Sequence, residues 1–118
     1  MRDYHPQVVA ALNTVLPTHY EMTLHSGIAV PCISYMELGN TQITQATGTE
    51  TQAVSRVTFQ VKVWANEIAT IQEYAPQVDA AMRALGFYRA GAVELYDHNS
   101  TMIQKVLTYE GLSLEIFE

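Results

Sequence analysis

Cysteine is nearly missing: Cys32 stands alone among 118 residues, which rules out an internal disulfide and a thiolate metal cluster within one chain. A reducing compartment suits such a chain. Basic residues are also scarce. Six of them, Arg2, Arg56, Lys62, Arg83, Arg89 and Lys105, stand scattered against twelve acids, whereas a nucleic-acid reader needs a clustered basic surface to neutralise phosphates. No apolar run approaches the roughly 20 residues that cross a bilayer, and residues 1–6, MRDYHP, lack the apolar core of a signal peptide. The expectation is a cytosolic chain with no membrane partner. The six glycines form neither GxGxxG nor GxxxxGK(S/T), so a nucleotide site has no basis in the sequence.

What is present is enough for a folded domain. Hydrophobic residues make up 48% and charged residues 15%, so burial can offset the entropy of ordering the chain. The length fits one core, and residues 1–118 read as a single domain. The formal charge of -6 is unevenly placed: residues 1–65 carry four acids and three bases, residues 66–118 eight acids and three bases.

Apolar spacing outlines the elements. Pro6 suits a first helical turn, and Val8, Ala11, Leu12 and Val15 recur at three and four residues until Pro17, which predicts a short amphipathic helix. Over residues 19–24 the period becomes two, with Tyr20, Met22 and Leu24 on one face. Ser26-Gly27 then offers a turn and residues 28–38 a second arm, so a hairpin is expected. Pro31 cannot donate to a ladder and belongs at an edge or bulge of that irregular strand. Residues 39–53, GNTQITQATGTETQA, hold one large aliphatic, two glycines and five threonines without a period, and read as a long mobile loop. The clearest strand is 54–64, where Val57, Phe59, Val61 and Val63 alternate with Arg56, Thr58, Gln60 and Lys62.

Asn66 is the expected cap of the main helix, whose Ile68, Ile71, Ala75, Val78, Met82 and Leu85 advance by threes and fours to Gly86. Pro76 inside it predicts a kink or break near residues 72–76. Strands are then expected over 87–96, 102–109 and 112–117, divided by turns at Asp97-His98-Asn99-Ser100 and Glu110-Gly111. This order predicts an α+β fold: an antiparallel or mixed β-sheet of about five or six strands with two helices packed on one face.

Candidate chemistry is sparse. His19 and His25 would lie about 20 Å apart along an extended strand and cannot share an ion locally. His98 with Asp97 and Asn99 has metal-ligand chemistry, but the same residues build an ordinary Asx turn, the preferred reading. Cys32 has no neighbouring base in its apolar strand and reads as a small buried thiol. His25 and Ser26 are strand neighbours that point to opposite faces, so they make no triad. The sequon Asn99-Ser100-Thr101 has no meaning without secretion. No catalytic residue, cofactor or metal site is expected, and the chain reads as a non-enzyme.

Two features suit assembly. Ala69, Pro76, Ala80 and Ala84 fall on the main-helix stripe opposite its apolar face, where small side chains would admit a neighbouring subunit; alanine is equally a good exposed helix former. In the loop, Thr41, Gln42, Thr47, Glu50 and Thr51 are candidate interface residues that would order against a partner, with plain disorder as the alternative.

Three blocks carry a family resemblance: VSRVTFQVKVWAN at 54–66, VDAAMRALGFYRAG at 78–91 and ELYDHNSTMIQKVLTYEG at 94–111. Together they resemble the tail-completion (tail-terminator, head-tail joining) proteins of siphophages. In these proteins a strand ending in an aromatic leads into a helix, here at Trp64-Ala65. The helix closes at a Gly-aromatic step, here Gly86-Phe87, and a polar turn precedes a strand, here the one holding Lys105 and Tyr109. The resemblance implies a structural virion protein, made in the host cytoplasm, that forms a ring, hexameric in that family. The ring would cap the tail tube, meet the tail tube protein and the head connector protein, and let DNA pass through its lumen without specific binding. An acidic wall would repel phosphates, with Glu110, Glu115 and Glu118 as candidates for it. The rival readings are a connector adaptor or stopper subunit and, more distantly, a small ligand-binding domain or an enzyme using Tyr96, Asp97 and His98.

Overall fold

The computed structural model describes residues 3–21, 28–45, 53–97 and 101–112. Along the chain these form α1 (His5–Asn13), β1 (Thr18–Tyr20), β2 (Cys32–Gln45), β3 (Ala53–Ala65), α2 (Ile68–Ala84), β4 (Tyr88–Asp97) and β5 (Met102–Leu112). The five strands make one sheet in the order β1-β2-β3-β5-β4, with β1 parallel to β2 and every other pairing antiparallel. The architecture is therefore the expected α+β fold: a five-stranded mixed sheet with both helices on one face.

The core follows from period. β3 points Val57, Phe59, Val61 and Val63 into the helical layer, all fully buried, and turns Thr58, Gln60, Lys62 and Trp64 to the open face. Ile33 and Tyr35 from β2 and Leu107 and Tyr109 from β5 share the inner face. α1 supplies Val8 and Leu12 at helical spacing, and α2 supplies Ile71, Val78 and Met82. Phe87, just past α2, meets the Phe59 ring edge-on at 5.7 Å between centroids.

Helix α2 ends as its sequence demands. Gly86 has a φ of 97°, the Phe87 amide donates to the Met82 carbonyl at 3.2 Å, and the Gly86 amide to that of Arg83 at 3.0 Å. This paired closure is the Schellman motif, and it needs the left-handed backbone that glycine adopts without strain.

Several sequence expectations give way. In place of the hairpin expected from residues 19–24 and 28–38, the described part has Thr18, His19 and Tyr20 paired in parallel with Ile33, Ser34 and Tyr35; residues 22–27 lie outside it. Period two fixes which face a strand presents but not the direction of its neighbour. Pro31 lies ahead of β2 rather than within it, although β2 does carry register shifts, between Glu37 and Gly39 and between Gln42 and Thr44. The loop expected over residues 39–53 is a strand pair as far as Gln45 and again from Ala53; residues 46–52 lie outside the described part. Among the described residues β5 accompanies β3 as far as Arg56, which faces Leu112. The stretch 39–45 is mostly polar, which leaves no hydrophobic alternation to read.

Asn66 stands one residue too early to cap α2. Glu67 occupies that position and makes no side-chain capping bond. Pro76 does not break α2, which runs unbroken from Ile68 to Ala84. Pro76 and Gln72 are both exposed, so the carbonyl that loses its amide partner can turn to water. The expected turn at Glu110-Gly111 is strand, with Gly111 opposite Val57. Of the strand expected at 112–117, residues 113–117 lie outside the described part.

Candidate assembly surface

Among the described residues three polar groupings gather titratable or hydrogen-bonding side chains, and in two of them those side chains bond one another. Asp79 on α2 accepts from the Tyr109 hydroxyl at 2.9 Å and from Arg83 Nε at 2.7 Å, and its Oδ1 lies 3.3 Å from an Arg89 guanidinium nitrogen. Burial works to raise the Asp79 pKa. The hydrogen bonds from Arg83 and Tyr109, helped by the charges of Arg83 and Arg89, outweigh it and hold the carboxyl below its usual range. The Tyr109 hydroxyl is pushed up, first by burial and then by its bond to Asp79. A saturated carboxylate and a tyrosine held neutral are a staple between α2, β5 and β4, not an acid–base pair.

On the open face the Trp64 indole donates to Ser34 Oγ at 2.8 Å, and Ser34 donates to Glu21 at 3.0 Å. Lys62 lies 3.4 Å from the same Glu21 carboxylate and 5.7 Å from the Trp64 ring centre. The fully buried Ser34 thus has both roles filled. His5 packs against Tyr20, Tyr35 and Phe59, with Glu37 at 3.8 Å. Among the described residues no group of three His, Cys, Asp or Glu side chains could hold a metal. Cys32 is buried, as its apolar strand implied, and burial raises its thiol pKa, which favours the protonated thiol over the thiolate.

The scattered bases find local partners: Lys62 with Glu21, Lys105 with Glu94, and Arg83 and Arg89 with Asp79. Among the described residues these four bases form no continuous stripe that could follow a phosphate backbone. Of the rival trio, Tyr96 and Asp97 are strand neighbours on opposite faces of β4, and His98 lies outside the described residues.

The residues expected at a subunit interface occupy separate places. Ala69, Ala80 and Ala84 are exposed on the outer side of α2, together with Pro76. Thr41 is exposed on the open face of the sheet, opposite Arg56, and Gln42 follows it in β2. The helix stripe and Thr41 therefore lie on opposite layers. Thr47, Glu50 and Thr51 lie outside the described residues. Glu110 is half-buried opposite Thr58 on the open face, and Glu115 and Glu118 lie outside the described part.

Sequence reasoning expects a strand at β4 but not its exposure. All ten of its residues are exposed, including Tyr88, Val93, Leu95 and Tyr96 at 46–56%. A strand that carries apolar side chains on both faces ordinarily belongs in the middle of a covered sheet. Here it is the edge, and that conflict between composition and position is the signal that could have found it.

No family model matches the chain, and no curated protein matches it. Among solved structures, it is similar to a chain from the "Virion of native gene transfer agent (GTA) particle" at 15% identity and a TM-score of 0.53. The similarity covers 89% of this chain and 82% of that one. At that identity the likeness is one of fold.

Proposed function

We propose that this chain is a structural virion protein, a tail terminator that caps a phage-type tail tube and joins it to the head connector. The observation that carries the reading is the fold shared nearly end to end with a chain of a gene transfer agent virion. The resemblance of residues 54–66, 78–91 and 94–111 to tail-completion proteins supports the finer role, as do polar groupings that bind one another and leave none poised to react. The chain works by contact: a ring of copies meets the tail tube protein on one side and the head connector protein on the other. Acidic excess suits a lumen through which DNA slides. No catalysis, cofactor or metal enters.

Deleting the coding sequence from the particle-producing genome tests this in one micrograph. Overgrown tails unattached to heads are expected, restored to measured length and joined when the protein is supplied in trans. Tails of normal length that fail to join heads would favour a connector adaptor or stopper instead. Intact, joined particles would reject both roles.

A further inference from the structure

We propose that copies of this chain join head to tail through their sheets: the outer edge of β4 in one copy pairs antiparallel with the outer edge of β2, residues 36–45, in the next. Four observations converge on it. First, among the described residues β1 flanks β2 only as far as Tyr35, and no strand flanks β4 beyond β5. The described part of the sheet therefore ends in two long edges, and residues 36–45 of β2 match β4 in length. Second, the directions agree. Successive antiparallel pairings make β2 and β5 run one way and β3 and β4 the other, so a β4-to-β2 junction between like-oriented copies continues the alternation.

Third, exposed large apolar side chains gather at these edges. Leu38 is 50% exposed at the β2 register shift, and Tyr88, Val93 and Leu95 stand exposed on β4. Fourth, β4 is only partly defended as an edge: it carries Arg89, Glu94 and Asp97 but no proline and no lysine, and its only register shift lies near its start, between Arg89 and Gly91. Pairing β4 with β4 about a two-fold axis would stop at a dimer and leave Leu38 bare. Joining two different edges is a heterologous contact, the kind that closes into rings when the rotation per copy divides a full turn. The occupant is a second copy rather than a foreign strand, because this sheet itself supplies both halves in matching length and direction. The inference rests on the ring reading of the preceding subsection for its closure and on the sheet edges alone for its contact.

The test uses the full chain with Cys32→Ser and one added cysteine at an exposed open-face position, Thr41→Cys on β2 or Val93→Cys on β4. Each variant is checked for native circular dichroism and melting, then cross-linked alone and as a mixture with a short bis-maleimide. The mixture should give a mixed dimer several-fold above either self-dimer, and the double variant should give a ladder of multimers. Self-dimers of the Val93→Cys chain without the mixed species would overturn the proposal in favour of a two-fold pair. No cross-link would overturn it too. Where a native mass spectrum still shows a ring, copies meet through another surface and the terminator reading survives. Where no multimer forms at all, that reading is decided separately by the deletion phenotype.

Discussion

β3 and β4 are built from similar strand-forming residues, yet Val57, Phe59, Val61 and Val63 of β3 are fully buried while β4 buries nothing. The difference is one of neighbours. β3 lies between β2 and β5 beneath the helical layer, so its alternation divides core from solvent. β4 lies outside β5, past the reach of α2 over most of its length, and its apolar side chains await another surface. Within one chain, then, the same strand propensity serves folding in one place and recognition in the other.

That contrast can be broken first at the centre. Phe59→Ala removes a fully buried ring that packs on Phe87 and should cost about 3–5 kcal/mol in a denaturant titration; Val93→Ala on β4 should move the same midpoint by less than about 0.5 kcal/mol. Similar losses from both would show that β4 belongs to the monomer core. Next comes the staple that ties β4 and β5 to α2. Tyr109→Phe takes away the hydroxyl bonded to Asp79, and a charge-assisted bond of this kind is worth about 1.5–3 kcal/mol.

The same carboxylate sets an acid limit. Because the folded state holds the Asp79 pKa below its unfolded value, its contribution is complete above the unfolded value of about 4 and is lost as pH falls through the folded one. Stability measured from pH 6 down to pH 2 should decline less steeply in Asp79→Asn than in the parent. Parallel curves for the two proteins would mean that other carboxylates govern acid unfolding.

A smaller effect is expected at the end of α2. Gly86→Ala forces a side chain into a φ of 97° and should lower stability by about 1 kcal/mol, visible as a shift in Tm with the circular dichroism spectrum unchanged. The smallest effect on the monomer should come from Leu95→Lys. It adds a charge to an exposed edge residue and should alter unfolding by less than about 0.5 kcal/mol while abolishing multimers in sedimentation. Unchanged multimers would place the junction elsewhere.

Legibility in the sequence followed burial. β3 was readable almost to the residue because one of its faces is dry, and α2 because its apolar stripe and Gly86 are both required by packing. The parallel pairing of β1 was not readable, since three residues carry no mark of direction. The strand at residues 39–45 reads as loop because its mostly polar side chains carry no alternation. That Ala69, Ala80 and Ala84 share the exposed side of α2 is legible because helical period alone sets it. The apolar edge of β4 was read as a strand without any hint that it would be bare.

By itself the sequence determined the elements that bury a face, the α+β class and the shortage of reactive or phosphate-binding groups, because periodicity and composition act within a few neighbouring residues. Strand order, the parallel β1 and the two exposed edges were decided only in three dimensions. Which strand lies beside which depends on contacts between residues far apart in the chain, and no local pattern encodes them.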